Sequence, residues 1–182
     1  MLFLVLFILL ALGFWAVSAY NRLVKHRNQV RTAWADIDVQ LNRRHDLVPA
    51  LVTTVRAVAS HERDTLEDVT SLRAQALNTQ SITRLANTES ELEAAISRVF
   101  ALQENYPDLK ASENFAQLQR DLVQVEDHLQ YARRFYNGAV RDYNDACQRM
   151  PDAIIARAAN FKTAEFFQIS DEHRAAIHVE LP

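Results

Sequence analysis

Six histidines are the candidates in this sequence for binding a metal ion. They are His26, His45, His61, His128, His173 and His178. A two-metal site inside a helical bundle needs Glu-x-x-His on two inward-facing helices, and the sequence lacks that spacing. His61 and Glu62 begin like a zinc-protease motif, but Thr65 stands where the second histidine belongs. We therefore predict no metal and no cofactor, with the histidines solvated or at helix caps.

Cys147 is the single cysteine and so the only candidate for a thiol nucleophile. It lies on the apolar stripe of a predicted helix, where a thiol behaves as a small hydrophobic group. A catalytic thiol needs an exposed, electropositive site instead. A serine nucleophile elbow needs glycines, and the chain has 2. We predict that the protein is not an enzyme.

Charged residues near Trp34 form the strongest polar candidate for a binding surface. They are Asp38, Arg43, Arg44 and Asp46. One interpretation is a docking strip close to the membrane that recognises complementary charges on a partner protein. The other is a solvated helix face with local pairs worth about a few tenths of a kcal/mol each. The same two interpretations apply to Lys110, Asn114 and Arg133.

The composition narrows the fold class before any element is placed. The chain has 182 residues, with 2 Gly, 4 Pro and a net charge of -3. So few glycines and prolines argue against sandwiches, barrels and glycine-cradled nucleotide sites, which need tight turns. The mildly acidic balance gives no sign of nucleic-acid binding.

Residues 1–21 carry no charged side chain and predict a transmembrane anchor. About 20 helical residues span the roughly 30 Å hydrocarbon core. Trp15 and Tyr20 lie near its end, where aromatic rings favour the membrane interface. A cleaved signal peptide is the alternative, since Val17-Ser18-Ala19 resembles a cleavage site. No basic segment precedes the apolar run, which favours a retained anchor in contact with the lipid bilayer.

The flanking charges predict the orientation of this single span. Arg22, Lys25, Arg27 and Arg31 follow it, with no acidic residue before Asp36. Excess Lys and Arg belong on the cytoplasmic side. We expect a cell (inner) membrane protein with its N-terminus outside and its C-terminal domain in the cytoplasm, and we expect Arg22, Lys25 and Arg27 at the membrane interface.

Apolar residues at three- and four-residue spacing predict long helices after the anchor. Pro49 is expected either to kink the first helix or to start a new one capped by Asp46, and that segment continues to Ala76. Further helices are predicted over 82–106 and, capped by Ser112, up to Pro151. The fold class is therefore all-α: a transmembrane helix that continues into an antiparallel bundle of three to four long helices.

The domain division follows from these elements. We predict an anchor over 1–21, a helical bundle domain over 22–150 and a tail with a short helix over 151–182. The tail carries an apolar group that we expect to pack on the bundle or on a neighbour: Ile154, Ile155, Phe161, Phe166, Phe167 and Ile169. Phe161, Phe166 and Phe167 are our candidates for contacts between copies of the chain.

Several short strings in a fixed order are similar to the LemA family of bacterial membrane-anchored proteins. They include residues 20–24, 33–41, 43–49, 106–110, 132–133, 136–137, 143–144 and 166–167. The resemblance implies an N-terminal transmembrane helix, an extracellular N-terminus and an all-α cytoplasmic bundle with no established enzymatic activity. Some relatives carry a lipidated cysteine near the end of the apolar run, and residues 16–19 contain none.

These observations favour a non-catalytic scaffold or adaptor at the membrane. It would act through protein–protein contacts with an unknown membrane or cytoplasmic partner and as a homo-oligomer, because a membrane tether raises the effective concentration. Two alternatives remain at this point. One is an accessory subunit of a membrane enzyme, and the other is an extracytoplasmic envelope sensor or remodelling protein with reversed topology.

Overall fold

The computed structural model describes residues 1–168, most of which are helical and none of which form a β-strand. Three of the six helices are long: α1 (Leu2–Val58), α3 (Ile82–Ala101) and α5 (Glu113–Gln148). The others are α2 (Arg63–Asn78), α4 (Pro107–Lys110) and α6 (Asp152–Ala158), and a 3-10 turn covers Leu102–Glu104. The all-α class with an N-terminal apolar helix is confirmed. The described residues form two compact units: Met1–Asp36 with Ala132–Glu165, and Ile37–Tyr131 with residues 166–168.

The second unit is an antiparallel bundle of four helical segments, namely α1 from Ile37, α2, α3 and α5 up to Tyr131. Short connections join successive helices, which makes them antiparallel neighbours. The rings of Phe100 and Phe115 meet edge-on, with centroids 6.0 Å apart. The shared core contains Val48, Leu51, Val52, Val55, Ala59, Leu66, Val69, Leu92, Ala95, Ile96, Val99, Leu109, Phe115 and Leu122.

Helix α1 passes through Pro49 without ending. Proline lacks the N–H that would donate to the carbonyl of residue 45. In the structure, Nε of Arg73 from α2 donates to the His45 carbonyl oxygen at 2.7 Å instead. The expected new helix start, with Asp46 as its cap, is wrong because this tertiary hydrogen bond satisfies the carbonyl that proline leaves without a donor.

The segment predicted as one helix from Pro49 to Ala76 is two helices. The chain turns over Ala59–Glu62, between α1 and α2. Helix α3 also ends at Ala101, earlier than the predicted Tyr106, and Pro107 begins the short α4. Two local predictions are confirmed: Tyr106 is extended, at φ -123 and ψ 93, and the Ser112 hydroxyl accepts from the Phe115 N–H at 3.3 Å.

The first unit has two parts of very different environment. Residues 2–14 of α1 are exposed throughout, and this helix is long and apolar enough to cross a membrane. From Leu23 onward α1 packs with the end of α5, with α6 and with the extended chain after it. This second cluster is built on Leu23, Tyr143, Cys147 and Ala156. The predicted boundaries at residues 21 and 150 stay a prediction.

Candidate functional site

The most distinctive polar group is a buried ion cluster inside the second unit. Glu89 on α3 is fully buried, and its Oε1 lies 2.7 Å from Nε2 of His45. Its Oε2 lies 3.1 Å from Nη1 of Arg44, which also donates to the Glu89 carbonyl oxygen at 3.3 Å. Nη2 of Arg44 pairs with Glu126 on α5. The cluster thus ties three helices together through Arg44.

The chemistry of this cluster is typical of a structural ion pair that holds helices together. A carboxylate only accepts hydrogen bonds, so Nε2 of His45 carries the proton in the bond to Glu89. Arg44 and His45 are 2% and 5% exposed, so neither side chain is open to a substrate. Removing one partner from such a group leaves an uncompensated charge, which makes the cluster sensitive to substitution.

The cluster corrects one of our interpretations and adds one residue to the site. His45 is buried and bound to Glu89, so the expectation that it is solvated or capping is wrong. Sequence reasoning also missed Glu89. The signal was present, because Glu89 occupies the inner position between Leu85 and Leu92 on the apolar stripe of α3.

Burial of Arg44 in the ion cluster removes it from the proposed docking strip. Asp38, Arg43 and Asp46 are exposed on α1, whereas Arg44 is held in the ion cluster. Nη2 of Arg43 lies 3.5 Å from Oε1 of Gln124 on α5. The exposed strip available to a partner therefore excludes Arg44.

The candidates near the anchor have partners within the first unit. The guanidinium of Arg22 makes two bonds to Asp152, at 2.6 and 2.8 Å, and this contact raises the pKa of Arg22. The guanidinium carbon of Arg27 lies 5.0 Å from the ring centroid of Phe161. The rings of Tyr20 and Phe161 also meet edge-on at 5.6 Å. Two of the basic residues after the anchor thus hold the unit together.

Trp15 and Lys25, also on α1, differ in exposure. Trp15 is half-buried and Lys25 is exposed.

Side chains of α5 fix the extended chain that follows α6. The amide of Asn144 donates to the Ala164 carbonyl at 3.0 Å and accepts from the Ala164 N–H at 2.8 Å. The hydroxyls of Tyr136 and Tyr143 donate to the carbonyls of Glu165 and Lys162. We call Tyr136, Tyr143 and Asn144 the tail clamp. Both tyrosine hydroxyls therefore have hydrogen-bond partners in the extended chain.

Burial within the first unit shifts the acidity of three side chains. It raises the pKa of Tyr143 to about 12 and raises the pKa of Tyr136. Burial also raises the pKa of the Cys147 thiol, which is 8% exposed. The predicted placement of Cys147 inside the packed stripe is confirmed.

The remaining candidates lie in different environments. Lys110 is exposed, Arg133 is half-buried, and Phe161 packs in the first unit. Phe167 is buried at 4% exposure, whereas Phe166 is 37% exposed. Ile169, the last member of the apolar group, lies outside the described residues. Over residues 1–168, no three His, Cys, Asp or Glu side chains are placed to hold a metal ion.

Comparison with known proteins identifies the family. The LemA family profile matches residues 33–181. Protein LemA of Metamycoplasma hominis is 24% identical over 179 residues, which cover 96% of this chain and 82% of that protein.

Two shorter matches are to magnetosome proteins. Magnetosome protein MamQ 2 of Paramagnetospirillum magneticum is 32% identical over 74 residues, 41% of this chain and 27% of that protein. MamQ of Magnetospirillum gryphiswaldense is 29% identical over 73 residues, 40% of this chain and 27% of that protein. The chain spans about a quarter of the length of these magnetosome proteins. With the family profile matching most of its length, the chain belongs to the LemA family.

Proposed function

We propose that this chain is a non-catalytic scaffold, anchored in the cell membrane by residues 1–21, that acts through protein–protein contacts and assembles with further copies of itself. The observation that carries the proposal is the exposure of the apolar segment. Leu2 and Phe3 are 80% and 85% exposed, and Leu10 is 65% exposed. Each large apolar side chain left in water forgoes about 1.5–3 kcal/mol, so this segment needs lipid around it.

A role in binding is supported by how the polar groups of the second unit are used. Its buried charges pair with one another across α1, α3 and α5. Charged side chains that are paired with one another in this way hold the helices in place. The exposed charges Asp38, Arg43 and Asp46 on α1 are the part of the predicted strip that a partner protein can reach.

The basic residues after the anchor support a cytoplasmic position for the bundle. Lys25 and Arg31 are exposed, so they are available to anionic headgroups at about 1 kcal/mol per cation. A cytoplasmic scaffold concentrated on one membrane needs only weak lateral contacts to assemble. Phe166 is an exposed apolar residue that can contribute to them.

Anchoring is tested by alkaline extraction of membranes from cells that express the full chain. We expect the protein to stay in the pellet, and Leu9→Arg to release part of it, because a central arginine costs about 2.5–3.5 kcal/mol. Leu9→Ala is the matched control and should stay bound. Release of the unaltered chain would contradict the anchor.

Orientation is tested in intact cells with a Cys147→Ala chain that carries a new cysteine at the exposed position 60. We expect a membrane-impermeant thiol reagent to label it only after the cells are opened. Labelling in intact cells would contradict the cytoplasmic position and favour the envelope role.

A further inference from the structure

A polar cavity of about 400 Å³ lies in the first unit where α1 leaves its apolar segment. Arg22 and His26 of α1 form one wall, and the end of α5 forms another. The start of α6 closes it. The lining residues are Arg22, His26, Asp142, Asp145, Ala146, Arg149, Met150, Pro151 and Asp152. Neither the family profile nor the predicted binding surfaces assign a role to this cavity.

The chain itself fixes the depth of the cavity relative to a bilayer. Arg22 is the first charged residue after the apolar segment, and His26 follows one helical turn later. These two residues are about 6 Å apart along the helix axis. The headgroup layer on each side of the hydrocarbon core is roughly 5–8 Å thick. A chain anchored by residues 1–21 therefore opens this cavity among lipid headgroups.

The charges that line the cavity are of both signs. Arg22 and Asp152 are joined by two hydrogen bonds, at 2.8 and 2.6 Å, so these two charges are already paired with each other. Asp145 and Arg149 remain to face a ligand, and Asp142 lies beside them with Nε of Arg141 3.6 Å from one of its carboxylate oxygens. With three aspartates against two arginines, the lining carries one net negative charge when His26 is neutral.

We propose that this cavity binds the headgroup of a lipid that carries both a phosphate and a primary ammonium, of the phosphoethanolamine type. A primary ammonium has three N–H donors for the carboxylates of Asp142 and Asp145. The phosphate suits the guanidinium of Arg149, which forms charge-assisted hydrogen bonds with such groups.

Two other headgroups fit the lining less well. Choline has no N–H to donate and is recognised by cages of Trp, Tyr or Phe, whereas none of these three residue types lines this cavity within residues 1–168. A headgroup with a phosphate and no ammonium brings a negative charge to a lining that is already negative. The lining thus selects for the ammonium as well as the phosphate.

This inference rests on the membrane anchoring in the proposed function. Purified full-length chain in mild detergent is mixed with short-chain phosphatidylethanolamine, phosphatidylcholine or phosphatidylglycerol, and bound lipid is counted by native mass spectrometry. We expect phosphatidylethanolamine to be retained at least about threefold better than the other two lipids, because its binding gains the free energy of one additional, partly exposed ion pair. Equal retention of all three lipids would overturn the proposal.

Variants connect the preference to the cavity. Asp145→Asn should reduce phosphatidylethanolamine retention to the level of phosphatidylcholine, and Arg149→Gln should lower retention of all three phosphate lipids. Asp127→Asn alters an exposed aspartate of α5 outside the cavity and should change nothing. An unchanged preference in Asp145→Asn would overturn the assignment.

Competition with soluble phosphoethanolamine distinguishes a lipid ligand from a free metabolite. We expect it to displace the lipid only at large excess, because it lacks the acyl chains that hold the lipid beside the anchor. Tight binding of the soluble compound without lipid binding would overturn the lipid assignment. Alkaline extraction and crosslinking report anchoring and assembly separately, so failure of lipid selectivity is distinguishable from failure of the scaffold proposal.

Discussion

Nε of Arg73 donates to the carbonyl oxygen of His45 at 2.7 Å, across the gap between α2 and α1. This is the carbonyl that Pro49 leaves without its helical donor. A tertiary contact therefore keeps α1 continuous at a position where the local sequence favours a break. The same turn of α1 presents Arg44 and His45 to Glu89, so its continuity also positions the ion cluster.

Arg73→Leu should lower the free energy of unfolding by about 1–3 kcal/mol, since it leaves a partly buried carbonyl without a donor. In a Pro49→Ala background, the restored N–H donates to that carbonyl. Arg73→Leu should then reduce the free energy of unfolding by about 1 kcal/mol less than it does when Pro49 is present. Urea unfolding of the full chain in detergent, followed by circular dichroism, measures both. Arg84→Leu, at an exposed site, is the control; equal costs in the two backgrounds would contradict this role of Arg73.

Glu89→Gln should destabilise the protein by about 3–5 kcal/mol, because it removes the charge that faces both Arg44 and His45. Glu67→Gln changes an exposed glutamate and should stay within about 0.5 kcal/mol. The joint replacement of Arg44 and Glu89 by Met should cost much less than the sum of the two single replacements. Additive costs in urea unfolding would show that the two side chains do not act as a pair.

Asn144→Ala should release the extended chain from the tail clamp. The Ala164 N–H loses its acceptor, so its hydrogen exchange should accelerate about 5- to 30-fold, which corresponds to 1–2 kcal/mol. Tyr143→Phe is the matched comparison, since its hydroxyl bonds to Lys162 and not to the Ala164 N–H. Peptide-level exchange of residues 161–165 by mass spectrometry measures the effect. Unchanged protection in Asn144→Ala would contradict the clamp.

Ionisation of Tyr143 should lower the free energy of unfolding in alkali. Its pKa is about 12 in the folded chain, against about 10 for an unfolded tyrosine. The neutral phenol is thus favoured by folding, and its contribution is complete below about pH 10 and lost as the pH rises to about 12. The difference in tyrosinate absorbance between the unaltered chain and Tyr143→Phe should show a step near pH 12. A step near pH 10 would contradict the burial of this hydroxyl.

Cys147 should react slowly with thiol reagents because burial raises its pKa and blocks access. We expect Ellman's reagent at pH 8 to modify the folded chain at least about tenfold more slowly than the urea-unfolded chain. Ala158→Cys in a Cys147→Ala background places the single thiol at an exposed site and should react rapidly in the folded state. Rapid reaction of native Cys147 would place it outside the packed cluster.

Periodicity and cap residues predicted most of the helices, because an apolar stripe reflects which face of a helix is buried. The Ser112 cap and the burial of Cys147 followed from local sequence alone. The turn over Ala59–Glu62 did not, because it contains neither glycine nor proline. The passage of α1 through Pro49 depends on Arg73, a residue 24 positions later, and no local pattern encodes such a contact.

The candidate site was less predictable than the fold for the same reason. Arg44 and Asp46 are near neighbours in a charged run, yet one is buried and the other exposed. Their difference depends on where α3 and α5 bring Glu89 and Glu126. The cavity beside Arg22 likewise combines residues from both ends of the chain, which spacing along the sequence could not bring together.

We expect copies of this chain to assemble while anchored in a membrane. Short-range chemical crosslinking in native membranes, at native expression levels, tests it most directly, with Leu9→Arg as the variant of weakened anchoring. We predict a ladder of dimers and larger species for the unaltered chain, reduced in proportion to the membrane-bound fraction for the variant. A chain that stays in the membrane and yields only monomers would contradict the account.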